Sequence, residues 1–455
     1  MNLDRLFKPE TMAVFGVSLN NDYHPANVIF NKNHLRYKVS AFAVNGRGGS
    51  LNGEKVYAKI SDIPKNIDIA VIATKADTVP SVISECIEAG VGGAVIISGG
   101  FAETGRYELQ ERLVSIAREA DFPFIGPNCL GVFSPPLMDT FFIPNERIVR
   151  PTRGRVAMVS QSGGMLVDHM LKCASEMVGL SMAVSIGNKA FIKETDLIKY
   201  LKDDPETDVI TFYLEGFNNN EGRKFVLEAS ECGKPVIVLK SGKSSAGTSA
   251  IKSHTASMAG DYEVFSSVMA QYGIVEARDE YEVVTFAEAL ASYRKPIEGR
   301  IGILTSSGGH GALATDACYE YGLKVPAFSD EIKAGLRDVL SPAVKNIASF
   351  ANPVDLTGSS TDDDFVAAAR FISRTDAVEC IMLLLLPYQP GITMDLGAKL
   401  SLVYEQEGKP LIAYVPHVEK YSMLIEGFML NNIPVAHSVE NVVHMAESLR
   451  RYKAC

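Results

Sequence analysis

The 455-residue sequence has no tryptophan, seven cysteines and no apolar run long enough to cross a bilayer. Its longest purely apolar stretch, residues 380–386, falls far short of the ~20 residues a membrane helix needs. The opening residues, MNLDRLFKPETM, carry no apolar leader core, so no secretory signal is expected. Cysteines 86, 129, 173, 232, 318, 380 and 455 form no C-x-x-C pair. That argues against a zinc site and a disulfide framework, and it suits a reducing, cytoplasmic compartment. Positive charge is also in deficit, with 44 Lys+Arg against 54 Asp+Glu and a net charge of −10. A nucleic-acid partner, which asks for a basic face, is therefore not expected. Anionic small ligands stay open, because helix N-termini bind them through backbone amides.

Two nucleotide motifs are incomplete. Phe15-Gly16-Val17-Ser18 ends an apolar run, but the dinucleotide fingerprint would continue with glycine where Ser18 and Asn21 stand. Ordinary NAD binding is thus disfavoured. Ser241-Gly-Lys-Ser244 follows another apolar run, yet the phosphate-loop pattern needs glycine at position 237, which is Ile237. A nucleotide-hydrolysing P-loop is rejected.

What is present is ordinary globular composition, 47% hydrophobic and 22% charged, long enough for two to four domains. Short apolar runs rich in β-branched residues recur at 12–16, 38–44, 67–73, 93–97 and 122–125, with a helical spacing of Val79, Val82, Ile83, Cys86 and Ile87 between two of them. Repeated βα units of this kind predict a parallel sheet covered on both faces. Residues 134–154, with four prolines, read as a linker. A second series has strand candidates at 155–159, 180–186, 208–214 and 235–239. After a polar break at 294–299, a third has them at 301–305, 380–386 and 410–415, ending in an amphipathic helix at 442–452. Within the last two series, Gly-Arg-Val-Ala-Met-Val-Ser-Gln-Ser-Gly-Gly at 154–164 aligns with Gly-Arg-Ile-Gly-Ile-Leu-Thr-Ser-Ser-Gly-Gly at 299–309. The repeat predicts two related flavodoxin-like units.

Three groups of residues carry candidate chemistry. Gly16, Ser18 and Arg47 fall in turns after the first and second strands, where a helix N-terminus and a guanidinium suit an anionic phosphate. His254 stands among Ser253, Thr255, Ser257 and Gly260, small residues that suit a movable loop. Glu215, at the C-terminal end of an apolar strand, is placed to bond one imidazole nitrogen and leave the other nucleophilic. Ser160, Ser162, Gly163 and Gly164 open a helix on the neighbouring strand and are candidates to hold phosphate. His310 reads as a loop or helix-cap residue, His169 and His444 as packing or surface residues, and Cys129 as structural. No metal ligands are expected in this chain.

Residues 253–260, Ser-His-Thr-Ala-Ser-Met-Ala-Gly, resemble the phosphohistidine loop of the NDP-forming acyl-CoA synthetases, relatives of succinyl-CoA synthetase. Gly-Pro-Asn-Cys-Leu-Gly at 126–131, Ser-Gln-Ser-Gly-Gly at 160–164, Tyr-Leu-Glu-Gly at 213–216 and Asn-Pro-Val-Asp-Leu at 352–356 are similar to further motifs of that family, in the same order. The domain order resembles the α subunit of ADP-forming acetyl-CoA synthetase. The resemblance implies an N-terminal Rossmann-like CoA-binding domain, 1–135, followed by two flavodoxin-like, succinyl-CoA-synthetase-type domains. These are 150–293, which carries the phosphohistidine loop, and 298–455. It implies that acyl-CoA and phosphate give an acyl phosphate and CoA, and that the phosphoryl group passes to His254 and on to ADP. It makes Glu215 the glutamate that stabilises phosphohistidine, and it puts CoA contacts at Gly16, Ser18, Arg47, Ser98 and Gly99.

Three departures matter. Asn45-Gly46 and Arg47 replace the usual Asn-Pro or Thr-Pro and Lys. Val167 stands where succinyl-CoA synthetases have tyrosine, which weighs against succinate. No stretch resembles an ATP-grasp domain. A separate ATP-grasp β subunit, in an αβ or α2β2 assembly, is therefore expected to supply ADP or ATP with Mg²⁺. The competing expectation is a catalytically silent CoA-binding module that regulates an acyltransferase, which would have no need of His254.

Overall fold

A computed structural model describes residues 3–218, 220–254 and 261–453, except for the side chains of 251–254. The chain forms two compact units, one ending at Val284 and the other beginning at Thr285. It is α/β throughout.

The first unit holds two seven-stranded sheets. The first sheet contains β1 (Thr11–Phe15), β2 (Ser40–Val44), β3 (Gly49–Leu51), β4 (Glu54–Tyr57), β5 (Ile69–Ile72), β6 (Gly93–Ile96) and β7 (Phe124–Ile125), in the order β3-β4-β2-β1-β5-β6-β7. All its pairings are parallel except β3 with β4. Every residue of β1, β5 and β6 is buried, which is why these strands read as unbroken apolar runs rather than as alternating ones. The second sheet contains β8 (Gly131–Ser134), β9 (Met138–Asp139), β10 (Arg153–Ser160), β11 (Leu180–Ser185), β12 (Val209–Leu214), β13 (Val236–Lys240) and β14 (Val275–Ala277), in the order β14-β13-β12-β10-β11-β8-β9.

The second unit has β15 (Ile301–Thr305), β16 (Val354–Asp355), β17 (Cys380–Leu384), β18 (Leu411–Tyr414) and β19 (Val435–Ala436), all parallel, in the order β16-β15-β17-β18-β19. In all three sheets the chain steps to one side of a central strand and then to the other. This gives a topological switch point at β1/β5, at β10/β12 and at β15/β17, the places where α/β proteins form ligand crevices.

Residues 134–154, which read as a linker, instead carry the end of β8, all of β9 and the start of β10 in the second sheet. Asp139 in β9 is fully buried, and its two carboxylate oxygens meet Lys32 Nζ at 2.9 Å and Arg150 Nε at 2.5 Å. The proline count concealed this, because an ion triad formed across 11 and 107 positions leaves no local pattern. Burial pulls the Lys32 ammonium down to about 8, although Asp139 opposes the shift. Among the described residues six cysteines are buried and none is in a disulfide, and burial pushes the Cys129 thiol far above its ordinary range. Cys455 lies outside the described residues. Among the described residues, no helix is long and apolar enough to cross a membrane, and no group of three or more His, Cys, Asp or Glu is placed to hold a metal ion.

Candidate functional site

At the first switch point a cleft of about 880 Å³ opens over the C-terminal ends of β1, β2 and β5. Gly16 and Arg47 line it, together with His24, Asn45, Thr74 and Lys75. Gly16 has φ of +95°, and a Cβ there would sit 2.4 Å from the carbonyl oxygen of Ala73. Only glycine lets β1 and β5 approach this closely while the chain turns away. Asn45 donates from Nδ2 to the Val17 carbonyl at 2.6 Å and accepts from the Arg47 N–H at 3.0 Å, so the two turns brace each other. The Arg47 and Lys75 side chains are exposed, and two cations beside a helix N-terminus suit a polyphosphate. Ser18, Ser98 and Gly99 lie at the same sheet edge but outside the cleft lining. The Ser18 N–H donates to Asn27 Oδ1 at 2.7 Å. The Ser98 hydroxyl donates to the Thr74 carbonyl at 2.6 Å and accepts from the Thr74 N–H at 3.1 Å, which ties the β6 turn to the β5 turn. Sequence reasoning missed Lys75. Its signal was its place two residues beyond the third apolar run.

The second switch point brings Ser160, Ser162, Gly163, Gly164 and Glu215 to one edge, because β10 and β12 pair in register with Ser160 opposite Tyr213. Ser160 Oγ accepts from the Ser162 N–H at 3.1 Å and donates to the Ser162 carbonyl at 2.6 Å, which shapes the turn. Ser162 caps the helix Gly163–Ser175, accepting from the Met165 N–H at 3.4 Å. A Cβ on Gly164 would meet nothing within 4 Å, so this helix end is open. Glu215 is 5% exposed, and its Oε2 has no hydrogen-bond partner among the described residues. Nearby, Lys240 is equally buried and donates to the Glu215 carbonyl at 2.8 Å. Desolvation lowers the Lys240 ammonium, while the charge of Glu215 acts in the opposite direction. His254 ends the helix Ser245–His254. Its side chain and residues 255–260 lie outside the described residues.

The internal repeat extends to geometry. In the second unit Thr305 Oγ1 accepts from the Ser307 N–H at 3.1 Å and donates to the Ser307 carbonyl at 3.3 Å, as Ser160 does with Ser162. The helix Gly308–Glu320 then begins where Gly163–Ser175 does in the first copy. His310 lies in its first turn, with Nδ1 3.1 Å from Ser307 Oγ, a helix-cap position. Asn352 of the Asn-Pro motif accepts from the Ile303 N–H at 2.9 Å and donates to the Ile301 carbonyl at 2.7 Å, so it completes the side of β15.

Family profiles described as a CoA binding domain and a succinyl-CoA ligase like flavodoxin domain match residues 10–135 and 153–290. The acetate–CoA ligase [ADP-forming] I subunit alpha of Pyrococcus furiosus is 32% identical, over 99% of this chain and 98% of its own length. The chain belongs to the NDP-forming acyl-CoA synthetase family. Another member, acetate–CoA ligase [ADP-forming] I of Archaeoglobus fulgidus, is 37% identical over 85% of the chain, which spans only 55% of that relative's length. The dinucleotide-forming acetyl-coenzyme A synthetase 1 of Ca. Korarchaeum cryptofilum, solved with phosphate and ADP, superposes with a TM-score of 0.88 at 30% identity, covering 99% of this chain and 97% of that one. The expected family and α/β fold class are therefore met, and the two switch-point sites of the first unit fall within the matched CoA-binding and ligase domains. Gln161, quoted in the sequence only as part of the 160–164 motif and given no role there, and Lys189, which the sequence reading did not name, belong to the second site as well. They are buried polar side chains whose roles arise only across strands.

Proposed function

We propose that this chain is the α subunit of an ADP-forming acyl-CoA synthetase with His254 as phosphoryl carrier. Residues 1–135 bind CoA, with Gly16, Ser18, Arg47, Ser98 and Gly99 at or behind the thiol ester's nucleotide end. Residues 150–293 carry the phosphoryl chemistry, and 298–455 form a third domain. Phosphate, held at the N-terminus of Gly163–Ser175 by Ser160, Ser162, Gly163 and Gly164, attacks the acyl carbonyl and expels CoA thiolate. An imidazole nitrogen of His254 then takes the phosphoryl group and releases the carboxylate. Glu215 accepts the N–H of the other ring nitrogen, which fixes the tautomer and offsets the growing imidazolium charge. The work is positioning and charge stabilisation, as in other phosphoryl transfers. A separate ATP-grasp β subunit takes the group to ADP with Mg²⁺, in the cytoplasm.

One observation carries the reading: the Glu215 carboxylate is buried, and its Oε2 has no partner among the described residues. An unpaired buried acceptor costs ~1–3 kcal/mol, more if charged, and a visiting N–H donor removes that cost. The test is incubation with acetyl-CoA and radiolabelled phosphate, with the partner subunit present. An acid-labile, base-stable label that disappears in His254→Ala is expected, with turnover cut about a hundredfold or more in Glu215→Gln while CoA still binds. A chain that binds CoA and never labels refutes the proposal and returns it to the silent regulatory module.

A further inference from the structure

We propose that Gln161 is a positioning residue for the phosphohistidine step, acting through Glu215; the inference rests on the function proposed above. The main chain of Glu215-Gly216 is held on all four polar atoms by three buried side chains. Gln161 Oε1 accepts from the Glu215 N–H at 2.6 Å and from the Gly216 N–H at 3.1 Å. The Gly216 carbonyl accepts from Gln161 Nε2 at 2.9 Å and from Lys189 Nζ at 2.8 Å. The Glu215 carbonyl accepts from Lys240 Nζ at 2.8 Å. Gln161, Lys189 and Lys240 are each more than nine-tenths buried.

The backbone is therefore fully bonded while the carboxylate Oε2 of the same residue is bonded to nothing described. Short acidic side chains often satisfy nearby backbone N–H groups themselves. Here Gln161 serves both N–H groups of the turn, and no described residue bonds Glu215 Oε2. The amide suits the place because it both accepts and donates. Its Nε2 also reaches Glu194 Oε1, which pairs with Lys189 at 2.9 Å. A carboxylate would keep the two acceptor contacts and lose the donor, and an apolar isostere would lose everything. Gln161 also sits between Ser160 and Ser162, so one side chain fixes the distance from the turn that opens Gly163–Ser175 to the turn that carries Glu215. A 1 Å misplacement in such a site is enough to lose most of its benefit.

The test uses the full chain and phosphoramidate, which phosphorylates imidazole as its P–N bond breaks and ammonia leaves. The signal at His254 is the one absent from His254→Ala, and its half-life is followed at neutral pH. Gln161→Met is expected to shorten that half-life at least fivefold, as Glu215→Gln does, with CoA affinity near wild type and a lowered melting temperature, because two buried backbone N–H groups lose their acceptor. Combining the two substitutions is expected to shorten it no further than Glu215→Gln alone, because Gln161 acts only through that carboxylate. A wild-type half-life in Gln161→Met, or losses that multiply in the double variant, overturns the inference. Should Gln161→Met not fold, Gln161→Glu combined with Glu194→Gln replaces it, so that the new carboxylate faces an amide donor and not the Glu194 carboxylate. A half-life within twofold of wild type supports the role of the two N–H contacts, and a fivefold loss overturns it. Absence of any His254 signal in the wild-type chain, or a Glu215→Gln half-life equal to wild type, refutes the proposed function itself.

Discussion

His169 makes the stability of the first unit pH-dependent by a predictable amount. It lies in the helix Gly163–Ser175, 3% exposed, with its ring edge-on to Tyr213 at 6.2 Å and its Nε2 without a partner among the described residues. Burial lowers its pKa from 6.5 to about 4; Asp168 and Glu280 oppose that shift, and Lys172 reinforces it. The native pKa lies below the unfolded one, so between pH 4 and 6.5 the unfolded chain binds the extra proton. Stability is then fully present above pH 6.5 and declines as the pH falls toward 4. The gap of about 2.5 units is worth ~3 kcal/mol, of which ~2.5 kcal/mol is lost by pH 4.5. Urea unfolding of wild type and His169→Leu at pH 7.5 and pH 4.5 reads this directly, the quantity of interest being the difference between the two proteins. At pH 7.5 the variant is expected to lie within ~1.5 kcal/mol of wild type, because it removes an unpaired buried nitrogen along with the ring contact. At pH 4.5 it should be the more stable by ~1–4 kcal/mol. Equal losses on acidification in both proteins would refute the assignment of this pH dependence to His169.

Other perturbations test other parts of the molecule. Arg47→Met and Lys75→Met should each weaken CoA binding about tenfold, by ~1–1.5 kcal/mol per charge-assisted contact, with a shallower salt dependence in calorimetric titrations; unchanged affinity in both would separate this cleft from CoA. Asp139→Ala leaves Lys32 and Arg150 as buried, uncompensated charges, so a loss of ~3–5 kcal/mol in urea unfolding is expected. A loss under 1 kcal/mol would mean that the triad is not a structural clamp.

Much of this protein was legible along the chain. The apolar runs that became β1, β5, β6, β10, β12 and β17 are visible because strands buried on both faces cannot alternate, and their periodic partners announce covering helices. The turn residues at 160–164 and 305–309 predicted a repeat, and the two hydroxyl-built turns share the same pair of side-chain hydrogen bonds, although only Ser162 also caps its helix. Glu215 was readable from its place at the end of an apolar strand. The short strands β3, β4, β9, β16 and β19 were not, because two to four residues carry too little pattern to outweigh their Gly, Pro and polar neighbours. Nor was the burial of Asp139, which depends on partners from a helix and a loop that meet only after folding.

The sequence by itself determined the order of βα units and the residue types at each sheet edge, since both follow from local periodicity and turn chemistry. Tertiary structure alone decided that Lys75 joins Arg47 over one cleft, and that Gln161, Lys189 and Lys240 bind the backbone of Glu215-Gly216 while Glu215 Oε2 has no partner among the described residues. Those relations run between strands separated by tens of residues. They are fixed by strand order and register, quantities that no single stretch of chain contains.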